Sequence, residues 1–447
     1  MKEKIRIGCG AGFSGDRLDP SIILAEKGEL DYLVLECLAE RTIALAQKRK
    51  LQDSTKGYDP LLERRITSLL PILIKNKVCL ITNMGAANPI EGAKKVLEIA
   101  QKLGLKIKVA AVFGDDVFEN LDPSVAAIET GKPLKESGEL LSANAYLGIE
   151  GILEALKNEA NIIITGRVAD PSLFLAPMIH AFGWQTDDYD LMGKGTVIGH
   201  LMECAGHITG GYFADPIKKP VEAMDILGHP FADIFPNGSA IISKVEGTGG
   251  VVNLQTAKEQ LLYEVINPHE YFTPDVIADF TTAKLTEIAE NQILVTGGTG
   301  KKKPETYKVS VGYKAFFLGE GEISYLGTSA FERAELAGQI IEKRLSPLFP
   351  PMGDKFTDLR IDYIGLDSVN RLQINTPSVF PEIRLRIAGK AVSQEVAALI
   401  GEEVEALYTN GPAGGGGVRK YVNEVIGIVS ILMDRNDILP KTTIFES

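Results

Sequence analysis

Five short runs dominate the first 180 residues: "IRIGCG" at 5 to 10, "YLVLEC" at 32 to 37, "VCLITN" at 78 to 83, "IKVAAVFG" at 107 to 114 and "NIIITG" at 161 to 166. Each is almost continuously apolar, and each is followed by a polar or glycine turn and then by a stretch with helical spacing. Apolar side chains at consecutive strand positions point to both faces of a sheet, so both faces need cover. This βα alternation predicts an α/β fold whose N-terminal part is a mostly parallel, Rossmann-like sheet. The helix starts are predicted from a second recurrence, Asp19-Pro20, Asp59-Pro60, Asn88-Pro89, Asp122-Pro123 and Asp170-Pro171. An Asx side chain at the N-cap accepts from orphan N–H groups, and proline suits the first helical position. At Asn88 a capping box with Glu91 is expected.

Beyond "DLMGKGTVIGHLMECAGHITGG" the texture changes. Strands with glycine turns dominate from about 236 to 330, interrupted by a helix at "TAKEQLLYEVI", and a helix at "TSAFERAELAGQIIEKRL" closes the stretch. The Pro-rich segment 345–356 reads as a linker, followed by "DLRIDYIGL", "EIRLRIAGKA", a helix from Ser393 to Tyr408 and "VIGIVSILM". The expected divisions are a parallel α/β domain at 1–195, an α+β region at 196–344 and a small C-terminal α+β unit at 357–447.

With 447 residues and 45% apolar composition the chain can bury a large core. Its 59 acidic against 47 basic residues give a formal charge of −12, and no basic run is interleaved with aromatics. Nucleic acid is therefore not an expected partner. No apolar run approaches the ~18 residues of a membrane span, and no N-terminal stretch has the pattern of a signal segment. Cys9, Cys37, Cys79 and Cys204 are isolated thiols without C-x-x-C spacing, which suits a reducing cytoplasm. The expected partner is a small anionic molecule, with homo-oligomerisation left open.

Directly after the first run, Gly10, Gly12 and Gly15 satisfy G-x-G-x-x-G, with Ser14 and Arg17 beside them. Glu36 follows 21 residues after Gly15, where a ribose-binding acid would stand. However, "DRLD" separates Gly15 from the expected helix. Three readings stay open: a dinucleotide loop, a loop for another phosphate or carboxylate, and a structural glycine turn. Other polar residues also follow the predicted strands: Asp16 after the first, Asn83 after the third, Asp115 and Asp116 after the fourth, and Arg167 and Asp170 after the fifth. That edge of a parallel sheet is where ligands bind. Asp170 is expected to cap a helix, while Arg167 beside a helix N-terminus suits a bidentate grip on an anion.

In "GHLMECAGHITGG", a helix over 196–208 would align His200, Cys204 and His207, with Glu203 beside them. Three ligands along two turns, about 10 Å, cannot all reach one ion at ~2 Å. No metal site is assigned. Glu203 and His207, with Asp16, are the candidates for acid or base work, against the alternative of buried histidines and a free thiol. "VTGGTGKKKP" departs from a P-loop at Val295 and Lys302 and reads as a turn; "EGTGGVVN" and "TNGPAGGGGVRK" are ligand loops or plain turns.

With "RIGCGAGFSGDR", "LDYLVLECLAERT", "GYDPLLERR", "ITNMGAANP", "ANAYLGIEGILEAL" and "ITGRVADPSL" in this order, the chain resembles the acyclic terpene utilisation A family over about residues 4 to 340. That resemblance implies a setting of citronellol and geraniol catabolism, in which branched acids are handled as coenzyme A thioesters. It implies no particular catalytic residue. The expected function is a catabolic enzyme of hydratase, lyase or isomerase type acting on a branched organic acid or its coenzyme A thioester. The alternatives are a nicotinamide-dependent oxidoreductase and a non-enzymatic substrate-binding or scaffold subunit. No cofactor is fixed by these residues; a coenzyme A thioester substrate fits the resemblance better than a dinucleotide fits the loop.

Overall fold

A computed structural model describes residues 2–350, 353, 355–369 and 382–446; residues 351, 352 and 354 of the expected linker lie outside them. All five apolar runs form strands: β1 (Ile5–Ala11), β2 (Tyr32–Leu35), β3 (Cys79–Thr82), β4 (Lys108–Phe113) and, after an unanticipated β5 (Glu139–Ala145), β6 (Ile162–Thr165). They pair in parallel in the order β1-β2-β3-β6-β4. The step from β3 to β4 leaves a gap that β6 fills by stepping back. With right-handed crossovers, this reversal puts the helix before β6 on the opposite face from the earlier ones.

The helices follow that rule. Helices α1 (Asp19–Lys27), α2 (Glu40–Gln52), α3 (Leu62–Asn76) and α4 (Pro89–Lys102) precede the reversal; α1 packs on α3, and α3 on α4. The apolar faces of α1, α3 and α4 share a core with Leu33, Leu35, Leu80, Val109, Ala111, Ile162 and Ile164, alternate residues that point to one side of the sheet, while α2 packs Ile43 and Ala46 in a separate cluster with Leu38, Ala86 and Ala87. Past the reversal, α5 (Glu150–Lys157), α6 (Ser172–Phe182) and α7 (Tyr189–Glu203) pack in succession, and both α6 and α7 contact β1.

Strands β7 (Pro230–Ile234) and β8 (Ala240–Lys244) then extend the sheet antiparallel from β1. Helix α8 (Leu254–Leu262) and the short strands β9 (Tyr271–Phe272) and β10 (Ile277–Asp279) follow, before β11 (Lys284–Ala289), β12 (Gln292–Thr296) and β13 (Thr299–Lys301). β12 joins β8, and β11 joins β12. At the other border the segment Lys441–Glu446 pairs antiparallel with β4. The five N-terminal strands are thus parallel as expected, and the later strands add antiparallel borders that make the whole a mixed ten-stranded sheet. In a doubly wound nucleotide-binding sheet β1 lies in the middle of the parallel set; here it is at its border.

Four of the five expected helix starts fall within two residues of an observed one, α1 at Asp19, α3 at Leu62, α4 at Pro89 and α6 at Ser172, but the expected side-chain caps do not form. Asp19 pairs with Arg17 rather than capping α1, although Pro20 sits in the first turn. Asn88 is at the N-cap of α4, but its amide donates to the carbonyls of Ser54 and Lys56, and Glu91 pairs with Lys94, so no capping box forms. Asp59 accepts from the Leu61 N–H in a turn before α3. Asp122 makes a turn with Ser124 and starts no helix. Asp170 is bonded to Arg167, and α6 begins at Ser172 without a side-chain cap. Asp59 and Asp122 act as turn formers, the other role of the Asx-Pro dipeptide.

The contacts divide the chain into two units, one of residues 1–136, 140–312 and 428–447, the other of 137–139 and 313–427. In the second, β14 (Thr306–Leu326, from Tyr313), α9 (Ala330–Leu345), β15 (Phe356–Ile364), β16 (Glu382–Ala391), α10 (Gln394–Asn410) and β17 (Gly416–Asp434, to Gly427) form a sheet covered by α9 and α10. Ile323, Tyr325, Ala337, Ile341, Leu385, Ile387, Ile400 and Val404 are its core. The expected divisions at 195, 344 and 357 do not coincide with these units, because α9 belongs to the second core and the final strand β18 (Lys441–Glu446) belongs to the large sheet. Among the described residues no helix is long and apolar enough to cross a membrane.

Candidate functional site

Parallel strands end at one edge, so the residues after β2, β3, β4 and β6 are brought together there. Glu36 Oε1 accepts from Asn83 Nδ2 and from the Leu38 N–H, both at 2.8 Å, and Asn83 Oδ1 accepts from the Cys37 N–H at 2.7 Å. Asp115 Oδ2 accepts from the Arg167 N–H at 3.0 Å and from Asn144 Nδ2 at 2.9 Å; burial raises its pKa to about 6. A Cβ at Gly166 would lie 2.4 Å from Asp115 Oδ1, so only glycine allows this approach.

Arg167 is 1% exposed. Its guanidinium donates to the carbonyls of Leu38 and Val168 and to Asp170 Oδ1, and it lies 4.3 Å over the Tyr146 ring. Burial opposes its charge, but Asp170, Tyr146 and Glu36 more than restore it. The same burial, with Asp170 nearby, pushes Glu36 well above the usual carboxylate range. Asp170 is also raised by burial, although 35% of its side chain reaches solvent. On the far side of the ring the Tyr146 hydroxyl donates to Glu40, which also faces Lys308 Nζ at 3.3 Å. Burial works against that carboxylate, yet the Tyr146 bond helps hold it down to about 2.

Helix α7 delivers the second group. It stops at Glu203; Ala205 adopts φ +44° and a single 3₁₀ turn, Ala205–His207, follows. The expected helix over 196–208 is therefore interrupted, and His207 leaves the stripe of His200. Gln260 of α8 reunites them. Its side-chain amide donates to the His200 carbonyl at 2.8 Å, its side-chain oxygen accepts from His207 Nδ1, and its backbone carbonyl faces His200 Nε2 at 3.0 Å.

A carbonyl can only accept, so His200 Nε2 carries a proton. His200 Nδ1 lies 3.0 Å from Glu203 Oε1. In a neutral imidazole the second nitrogen is an acceptor, so the proton between the two belongs to Glu203. The surroundings favour that state. Burial lowers His200 to about 4, and burial with Asp170 and Glu264 pushes Glu203 well above its ordinary value. Glu203 is 8% exposed, and its Oε2 is buried with no hydrogen-bond partner among the described residues. His200 is packed against Tyr271 and Phe280, with ring centroids 5.3 Å away in each case.

The glycine loop is built differently from a dinucleotide cradle. The N–H groups of Gly12 and Phe13 both point to Asp16 Oδ2, at 2.6 and 3.3 Å. Gly10 faces Ser21 of α1, Gly15 faces the Phe13 ring, and Gly12 lies so close to Cys204 that a Cβ would sit 2.5 Å from its backbone carbon. Ser14 Oγ donates to Asp59 at 2.6 Å. Arg17 is 59% exposed on its side chain, paired with Asp19 and donating to the Asp225 carbonyl.

Of the residues expected from sequence, Glu36, Asn83, Arg167, Asp170 and Glu203 thus share one electrostatic neighbourhood, with Gly12 and Asp16 reaching it through Cys204. The His207 side chain bonds Gln260 and its N–H bonds the Cys204 carbonyl, and Arg17 points to solvent. Tyr146, Glu40 and Gln260 were not anticipated; their contacts span tens of residues and leave no local spacing. Arg65 was not anticipated either, although its place among Leu62, Ile66, Leu69 and Leu73 on the buried stripe of α3 is a readable signal. Two cavities, of about 770 Å³ beside Arg6 and Lys244 and about 250 Å³ beside Glu150 and Asp275, are lined by other residues. Among the described residues no group of three or more His, Cys, Asp or Glu side chains is arranged to hold a metal ion. The model of the family described as "Acyclic terpene utilisation family protein AtuA" matches residues 5–444, extending past the stretch over which the sequence motifs are diagnostic. No curated protein and no solved structure matches the chain.

Proposed function

Given that the chain belongs to the acyclic terpene utilisation AtuA family, we propose that it is an enzyme that transfers a proton to or from a branched organic acid or its coenzyme A thioester, as an isomerase, hydratase or lyase. The observation that carries this reading is Glu203, a carboxyl group whose Oε1 is held by His200 while its buried Oε2 has no hydrogen-bond partner among the described residues. A carboxylic acid kept neutral in a dry site is a general acid at neutral pH, and its conjugate base is strong enough to take a proton back. In this reading His200 fixes the carboxyl orientation. Arg167 keeps Glu36 and Asp170 in place, with Asp170 at the solvent-facing side. The four cysteines are free thiols, which supports a reducing compartment such as the cytoplasm.

The test is incubation of the protein with a panel of branched free acids and branched acyl-coenzyme A thioesters in D₂O, followed by mass spectrometry. Deuterium incorporation or turnover is expected for at least one compound, slowed at least ~100-fold in Glu203→Gln, the usual scale of a general acid's contribution. No exchange with any compound, the outcome expected of a scaffold subunit, or an unimpaired Glu203→Gln variant contradicts the proposal.

A further inference from the structure

Beneath the glycine loop lies Arg65, 2% exposed. Its Nη2 donates to the carbonyls of Ser14 and Asp16, both at 2.8 Å, so the guanidinium tip lies against the inner side of the loop. Its Nη1 is buried and has no hydrogen-bond partner among the described residues. An orphan donor on a buried cation is costly, and buried charges are normally paired. In the same loop, the Gly12 and Phe13 amides converge on one carboxylate oxygen, that of Asp16, the residue whose carbonyl also accepts from Arg65. Two convergent backbone donors with a guanidinium behind them make a concave anion-binding arrangement.

We propose that the β1–α1 loop is an oxyanion subsite that Asp16 occupies internally, and that an incoming phosphate or carboxylate group displaces Asp16 and recruits the free Nη1 of Arg65. The loop is placed for this beside the acid–base pair. Gly12 lies against the backbone of Cys204, the residue next to Glu203. An oxyanion at the loop would thus anchor a molecule whose other end reaches Glu203; that last step, and only that step, rests on the acid–base reading above. Exchange of one anion for another also explains why an anion-binding loop contains an acid that would otherwise repel the ligand.

Three probes separate the chemistries: inorganic phosphate, inorganic pyrophosphate and isovalerate, titrated calorimetrically into the parent protein and into Asp16→Ala. The vacated subsite in Asp16→Ala is expected to bind at least one probe at least about tenfold more tightly than the parent, with phosphate and pyrophosphate favoured if the natural group is a phosphoryl and isovalerate if it is a carboxylate. Equal affinities of the two proteins for all three probes overturn the proposal. Because a replacement of Arg65 can unfold the chain, its part is read by arginine-detected NMR on Asp16→Ala. The Arg65 Nη signals should move on addition of the bound probe, and stationary signals remove Arg65 from the subsite. The two readings fail separately. Tighter probe binding without deuterium exchange removes the acid–base enzyme alone, and exchange without tighter binding removes the subsite alone.

Discussion

The loops after β1 and after β6 look alike in sequence, for each has glycine, arginine and aspartate between a parallel strand and a helix. In three dimensions they are opposites. Arg167 is sealed under Tyr146, with protein carbonyls and Asp170 as partners, whereas Arg17 lies in solvent and pairs with its neighbour Asp19. The charge that matters in the first loop comes from elsewhere, from Arg65 on α3. The difference teaches that an arginine next to a strand end is informative only once its burial is known: a buried one organises carboxylates, and an exposed one does little.

The strongest challenge to that contrast is Arg167→Met. Removing the cation leaves Asp170 without its counter-charge and the Leu38 and Val168 carbonyls without donors, and unfolding free energy should fall by about 3–5 kcal/mol, the cost typical of breaking a buried pair. Denaturant titration showing near-parental stability would break the comparison. Arg167→Lys keeps the charge but not the fork, so the Leu38 and Val168 carbonyls lose donors; a smaller loss of about 1–3 kcal/mol is expected in the same titration.

A subtler effect sharpens the account of the sealed loop. Asp115, raised to about 6, binds its proton more tightly in the folded state, so its contribution is present in acid and is lost as pH rises through about 6. His200, lowered to about 4, has the opposite sign: stability is missing in acid and is gained as pH climbs from about 4 toward the ordinary value of 6.5. Asp115→Asn removes only the first contribution. Its melting temperature should therefore rise more steeply than the parent's between pH 4 and 6.5, and parallel curves would show that Asp115 does not titrate as described. The smallest effect belongs to Arg17→Ala, whose melting temperature should match the parent's because the side chain is solvated and its ion pair is local. A marked drop would mean that the exposed loop shares the structural role of the sealed one.

The strands were legible because continuous apolar runs leave little choice of structure. Their order was not, since the insertion of β6 between β3 and β4 and the antiparallel addition of β7 depend on contacts between distant segments. "KTTIFE" carries no mark of its pairing with β4. Asn88 marked its helix start correctly but spends its amide on the Ser54 and Lys56 carbonyls, and Asp122 misled because Asx-Pro serves turns as well as caps. At the site, the sequence pointed to Glu203 with His207, whereas the structure pairs Glu203 with His200, and Gln260, which bonds both histidines, comes from another helix 57 residues beyond Glu203. Burial sets the protonation of that pair, and sequence does not report it.

The central claim is that Glu203 holds a proton at neutral pH, and infrared difference spectroscopy of the parent protein against Glu203→Gln reads it without any substrate. The account predicts that at neutral pH the parent shows a carbonyl stretch of a protonated carboxylic acid that is absent from the variant, and that this band persists on alkalinisation beyond the range in which ordinary glutamates ionise. A difference spectrum with only ionised carboxylate bands would contradict it, and with it the assignment of Glu203 as the proton donor.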